Sequence, residues 1–100
     1  MGTPHYMSPQ QCRGKPVDHR TDIYSFGIVL HRALTGQLPF DSDDPVELLT
    51  AQVSRPPPPM SSVLPALPAA LDAPVLHMLE KDPDRRPATM AAAMDALFKA

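Results

Sequence analysis

One hundred residues make room for one small domain, and an apolar content of 43 % argues against a wholly disordered chain. Nine basic and eleven acidic residues are intermixed for a net charge of −2, with no basic patch to attract nucleic acid or a lipid surface. Cys12 is the single cysteine, which excludes an intrachain disulfide and a cysteine-based zinc site.

In chain order, residues 1–19 read as irregular, with a short helical turn around Ser8–Cys12 in which Pro9 occupies an early position where its missing N–H costs nothing. A helix follows from about Arg20 to Thr35. Ile23, Phe26, Gly27, Leu30 and Leu34 recur at three- and four-residue steps, with Val29 and Ala33 widening the apolar stripe, as suits a central helix. Asp18 or Thr21 can cap its start, Asp22 complements the dipole of its first turn, and Gly36 is placed to end it in the left-handed conformation. Ser25 and Thr35 read as helix-surface or cap hydroxyls.

Asp43-Asp44-Pro45 is a second start signal, a carboxylate cap followed by Pro at the first helical position. Val46, Leu49 and Val53 form the expected inner face of that helix, which ends near Ser54. Arg55-Pro56-Pro57-Pro58-Pro59 cannot be helical and is expected to be extended polyproline II; residues 60–68 read as an irregular connector. A third helix is expected from about Asp72 to Lys81, stopped by Pro83. Thr89 caps a last helix in which Met90, Met94, Leu97 and Phe98 share a face. The expectation is an all-α chain of about four principal helices with Pro-rich connectors. Fourteen prolines, nearly three times the usual share of about 5 %, fit stiff joints between short helices.

Three stretches carry a more specific message in combination: Gly2-Thr3-Pro4-His5-Tyr6-Met7-Ser8-Pro9-Gln10, then Asp22-Ile23-Tyr24-Ser25-Phe26-Gly27, then Lys81-Asp82-Pro83-Asp84-Arg85-Arg86-Pro87. Leu34-Thr35-Gly36, followed by Pro39-Phe40, adds a fourth. In that order and spacing, over essentially the whole chain, they resemble the C-terminal lobe of a eukaryotic-like serine/threonine protein kinase of the kind found in bacteria, from the end of the activation segment to the last helix. The resemblance implies that Thr3, Pro4 and Tyr6 position the protein substrate, Thr3 beside the catalytic groups and its neighbours as a floor under the residue after the acceptor. It also implies that Pro9, Gln10, Asp22, Gly27 and Arg86 brace the site. Asp22 would tie down the catalytic loop, Gly27 would permit close packing, and Arg86, matched by its spacing to Pro87, would pair with residue 10.

One departure from the family pattern is chemically pointed. Gln10 stands where the family has Glu, so the expected ion pair with Arg86 becomes a hydrogen bond to a neutral acceptor. Arginine does not shed its proton, and a buried guanidinium without an anion is costly.

Phosphoryl transfer in this family needs a phosphate-covering Gly-rich loop, a lysine on the phosphates, a catalytic Asp, and an Asp and Asn holding magnesium. The four glycines, at positions 2, 14, 27 and 36, form no G-x-G-x-x-G. There is no Asp-Phe-Gly, and Asn does not occur in the sequence. His19-Arg20-Thr21-Asp22 superficially resembles His-Arg-Asp, but the Asp falls one place late and opens an apolar helix. His5, His19, His31 and His77 lack metal-ligand spacing, and Asp41–Asp44 lacks that of a calcium loop and serves better as a cap.

The chain is therefore expected to be a partial kinase domain over residues 1–100, lacking the N-lobe, the catalytic loop and Asp-Phe-Gly. It is expected to supply substrate floor and scaffold and to be inactive alone. No catalytic, cofactor-binding or metal-binding residue is expected here; ATP and magnesium belong to the intact family domain. The expected partners are a protein substrate or the missing kinase half, with no nucleic acid. The alternative is a non-catalytic interaction module using exposed lobe surface, or using Pro56–Pro59 as a polyproline ligand. No stretch approaches the roughly 18 apolar residues of a membrane span, there is no signal-peptide core, and Tyr6 stands where a myristoylation motif needs Ser or Thr. The expected compartment is the cytoplasm.

Overall fold

The computed structural model of the chain describes residues 4–100. Among these residues the secondary structure is helical throughout: α1 (Pro9–Cys12), α2 (His19–Thr35), α3 (Pro45–Ser54), α4 (Met60–Val63), α5 (Asp72–Met78) and α6 (Met90–Phe98). Single 3-10 turns at Pro4–Tyr6, Ala69–Leu71 and Pro83–Arg85 join them. The four longest α-helices are those expected from the sequence, and α1 is the expected short turn. Thr3 lies outside the described residues.

Local chemistry sets the helix ends. Asp18 caps α2 by accepting the Arg20 N–H at 2.9 Å, and Gly36 closes it at φ 78°, a left-handed backbone that glycine adopts without a Cβ penalty. Asp44 caps α3 through the Val46 N–H, with Pro45 in the first turn. Thr89 caps α6 through the Ala92 N–H. At α1, Ser8 and Gln11 exchange bonds in a capping box: the Ser8 N–H donates to Gln11 Oε1 and the Gln11 N–H to Ser8 Oγ.

The long helix α2 runs through the middle, and α5 packs along it. Tyr24, Ile28, Met60, Val75 and Leu79 form the main core cluster; Ile23, Met78 and Ala93 form a second, joining α2, α5 and α6. A third cluster of Phe40, Leu48 and Ala51 seats α3. The most deeply buried line of α2 is Thr21, Ile23, Tyr24, Gly27, Ile28 and His31, while Phe26, Leu30 and Leu34 are half-buried and Val29 and Ala33 exposed. The expected stripe is thus rotated toward the Tyr24–Ile28–His31 line.

Three expectations need correction. In α3 the buried face is Leu48, Ala51 and Gln52, and Val46 is 70 % exposed. The slot opposite the Pro4–Tyr6 turn is filled by polar Gln52 rather than by an apolar residue. In α6, Ala93 is the buried residue and Phe98, in the last turn, is 79 % exposed. The connector at 60–68 contains α4, because the Asp72 carboxylate accepts both the Ser61 N–H, at 3.0 Å, and the Ser61 hydroxyl. A fourth difference concerns length: α5 stops at Met78 rather than Lys81. The carbonyls of Glu80 and Lys81 instead face the Arg86 guanidinium.

Residues 55–59 are extended as expected, with Arg55 at φ −88°, ψ 129° and Pro59 at φ −59°, ψ 142°. Pro56 and Pro57 line a cleft of about 380 Å³ together with Leu76 and Leu79. Among the described residues no helix is long and apolar enough to cross a membrane.

Candidate substrate floor and its braces

The Pro4–Tyr6 turn is short, and its carbonyls cannot all be satisfied within it; two helices meet them instead. Gln52 of α3, fully buried, donates from Nε2 to Pro4 O at 3.1 Å and to His5 O at 2.9 Å. Ser25 of α2 donates its hydroxyl to Tyr6 O at 2.7 Å. Three successive carbonyls are therefore each held by a side chain from a packed helix. Tyr24 fixes which way the Gln52 amide faces, since its hydroxyl donates to Gln52 Oε1. At the exposed side of the turn, His5 contacts Asp41 at 2.8 Å and the Arg32 guanidinium donates to the Tyr6 hydroxyl at 3.4 Å.

Arg86 organises the other end. Only 4 % exposed, it donates from Nε to Glu80 O at 2.7 Å, from Nη1 to Arg20 O at 3.0 Å, and from Nη2 to Lys81 O at 3.1 Å and Gln10 Oε1 at 2.9 Å. Its guanidinium carbon lies 4.9 Å from the centre of the Tyr24 ring. Gln10 also donates from Nε2 to Lys81 O at 3.1 Å. Burial lowers the Arg86 pKa, an effect no carboxylate at residue 10 offsets.

Lys81 sits between these two clusters. Its ammonium stands 4.2 Å from the Phe40 ring centre and donates to Ala51 O at 3.2 Å and to the Tyr24 hydroxyl at 3.4 Å. Burial pushes its pKa down to about 8 from 10.5, and the neighbouring Cys12 and Arg86 act in opposite directions with smaller weight. Burial likewise holds the Tyr24 phenol well above its ordinary range.

Of the residues singled out from the sequence, Pro4 and Tyr6 lie in this turn, Pro9 is buried at the start of α1, and Gln10 and Arg86 meet directly. Gly27 faces α5, where an added Cβ would lie 2.9 Å from Leu79 Cδ2 and 3.0 Å from Met78 Cβ. Asp22 is exposed in the first turn of α2. Sequence reasoning missed Gln52, Tyr24 and Lys81, and it read Ser25 as a surface hydroxyl. A polar residue flanked by the apolar Ala51 and Val53 was the one available signal for Gln52. Among the described residues no group of three or more His, Cys, Asp or Glu side chains is gathered for a metal ion.

Comparison with known proteins shows the family to which the chain belongs. The sequence pattern of the family described as the protein kinase domain matches residues 1–98. The chain is 46 % identical over 97 residues to the serine/threonine-protein kinase Pkn1 of Myxococcus xanthus, a match covering 97 % of this chain and 14 % of that protein. It is 48 % identical over 86 residues to the serine/threonine-protein kinase PksC of Streptomyces coelicolor, covering 86 % of this chain and 16 % of that one. The twitchin kinase region from C. elegans superposes with a TM-score of 0.85 at 26 % identity, over 95 % of this chain and 17 % of that chain. The chain thus spans less than a fifth of the length of these curated relatives. It belongs to the protein kinase domain family and is a segment of a serine/threonine protein kinase domain of the bacterial kind.

Proposed function

We propose that this segment forms the substrate floor and C-lobe scaffold of a kinase that transfers the γ-phosphoryl of ATP, with magnesium, to Ser or Thr of a protein. The observation that carries this reading is the fixed Pro4–Tyr6 turn, three of whose carbonyls are held by side chains of α2 and α3. In phosphoryl transfer the protein acts mainly by positioning and electrostatics, so a rigid floor under the acceptor is a direct contribution to rate. Thr3, Pro4 and Tyr6 then position the substrate, and Pro9, Gln10, Asp22, Gly27 and Arg86 brace the floor. ATP and magnesium bind in the other part of the domain, which carries the phosphate loop and the metal-binding Asp and Asn. The exposed Val29 and Phe98 side chains offer apolar surface for that part or another protein to cover. The single free Cys12 and the need for ATP suit a reducing cytoplasm.

A free-standing module that binds through Pro56–Pro59 is less well supported, because Pro57 and Pro58 are half-buried against the chain's own helices. The test is phosphoryl transfer from labelled ATP with magnesium to a protein substrate, first with this chain alone and then with the upstream half of a bacterial kinase domain joined to it. No turnover alone and measurable turnover when joined is the expected pattern. Turnover by the chain alone, or none in the joined protein, contradicts the reading.

A further inference from the structure

We infer that Gln52 is a positioning residue for the protein substrate: its carboxamide, turned by the Tyr24 hydroxyl, fixes the Pro4–Tyr6 turn on which the substrate rests. The inference rests on the floor reading above and adds a residue 47 positions away from that turn. Gln52 is 0 % exposed, and both ends of its amide are used: Oε1 accepts from Tyr24, and Nε2 donates to the carbonyls of Pro4 and His5. An amide has one acceptor oxygen and two N–H donors, and here all three are matched by partners of opposite character. The Tyr24 hydroxyl in turn accepts from the Lys81 ammonium, so the donors run in one direction, from Lys81 through Tyr24 and Gln52 to the turn. A flipped amide would set its oxygen against two carbonyl oxygens and leave the Tyr24 hydroxyl proton without its acceptor. The turn is therefore held in one conformation. Ser25 secures the next carbonyl; without Gln52, His5 O loses its donor and Pro4 O keeps only the long Met7 N–H contact at 3.5 Å.

Gln52→Met keeps the volume and removes the polar contacts. The first readout is amide hydrogen exchange of this chain, comparing His5, Tyr6 and Met7 with amides inside α2 and α5. The expected result is exchange at the turn faster by on the order of tenfold, with the helices slowed or hastened far less. The second readout is made in the joined domain: the KM for a threonine peptide selected on the unaltered protein should rise by about tenfold, with the KM for ATP unchanged. Equal acceleration of exchange across turn and helices, or an unchanged turn, overturns the inference. So does a peptide KM that stays put while the turn loosens. If Gln52→Met does not fold, Tyr24→Phe removes only the hydroxyl that turns the amide, and selective loosening of His5–Met7 is still required. A joined domain that is inactive even with Gln52 in place counts against the floor reading, and exchange at the turn then judges the clamp by itself.

Discussion

Arg86 Nη2 lies 2.9 Å from Gln10 Oε1, a charged donor facing a neutral acceptor in a site that is 4 % exposed at the arginine. The remaining guanidinium bonds go to the backbone carbonyls of Glu80, Lys81 and Arg20. Each of these acceptors is uncharged, so the cation is solvated by dipoles and not neutralised. That arrangement is tolerable because four acceptors converge on one planar fork.

Replacing Gln10→Glu should stabilise the fold. The Arg86–Gln10 bond already has one charged partner, so the gain is the increment from supplying the buried guanidinium with an anion; against it stands the loss of a neutral bond to Lys81 O worth about 1 kcal/mol. A net gain of about 1 kcal/mol is expected at pH 7. The introduced glutamate would have a folded pKa below its unfolded value of about 4.3, so the gain is full above that pH and fades as pH falls through the folded pKa. Urea melts at pH 7 and pH 3 check both parts; no gain at pH 7 argues against the pairing.

At Gly27 the added methyl of Gly27→Ala would meet Leu79 Cδ2 at 2.9 Å and Met78 Cβ at 3.0 Å. Helix propensity favours the change by about 1 kcal/mol, and overpacking opposes it by about 1–3 kcal/mol. A net loss of about 1 kcal/mol is expected because Met78 Cβ is tied to the backbone and cannot swing aside. Denaturant midpoints measured with and without Leu79→Ala decide the matter: the cost of the alanine should shrink when the leucine is trimmed.

The lowered pKa of Lys81 makes a pH signature. Between about 8 and its unfolded value of 10.5 the folded chain has released a proton that the unfolded chain still holds. The unfolded state then binds more protons, so the Lys81 contribution to stability rises with pH across that window. The raised Cys12 and Tyr24 groups work the other way above their ordinary values of 9.0 and 10.0. The rise should therefore be clearest from pH 8 to 9 and should vanish in Lys81→Met. Stability curves that are parallel for the two proteins across this interval contradict the assignment.

A further expectation concerns α4, which depends on one distant carboxylate. Asp72→Ala removes the acceptor of both the Ser61 N–H and the Ser61 hydroxyl. By analogy with other helix-start caps the loss should be about 1–2 kcal/mol. Exchange at the Ser62–Leu64 amides should speed up more than in α6. Uniform change across the chain would place the effect elsewhere.

Helix starts were the most legible part of the sequence because their chemistry is local. Asp44-Pro45 and Thr89 each act within three residues, and Gly36 needs only its own backbone angle. Faces were less legible. Val46 fits an apolar spacing, yet the inner face of α3 is set by what lies opposite, and opposite Gln52 lie the carbonyls of Pro4 and His5. The start of α4 and the early end of α5 depend on Asp72 and Arg86, partners beyond the reach of any periodicity window. In the candidate site, motif spacing brought Gln10 and Arg86 into one thought, and they do touch. Lys81, Tyr24 and Gln52 belong to a folded network that linear spacing does not encode.

On the proposed floor reading, the Gln52 amide bears on how substrate specificity would be engineered. Residues 4–6 carry their letters anywhere, but their shape is borrowed from a helix that follows much later in the chain. Grafting the loop alone into a foreign kinase would move the words without the grammar, whereas grafting it with its glutamine and tyrosine would carry both.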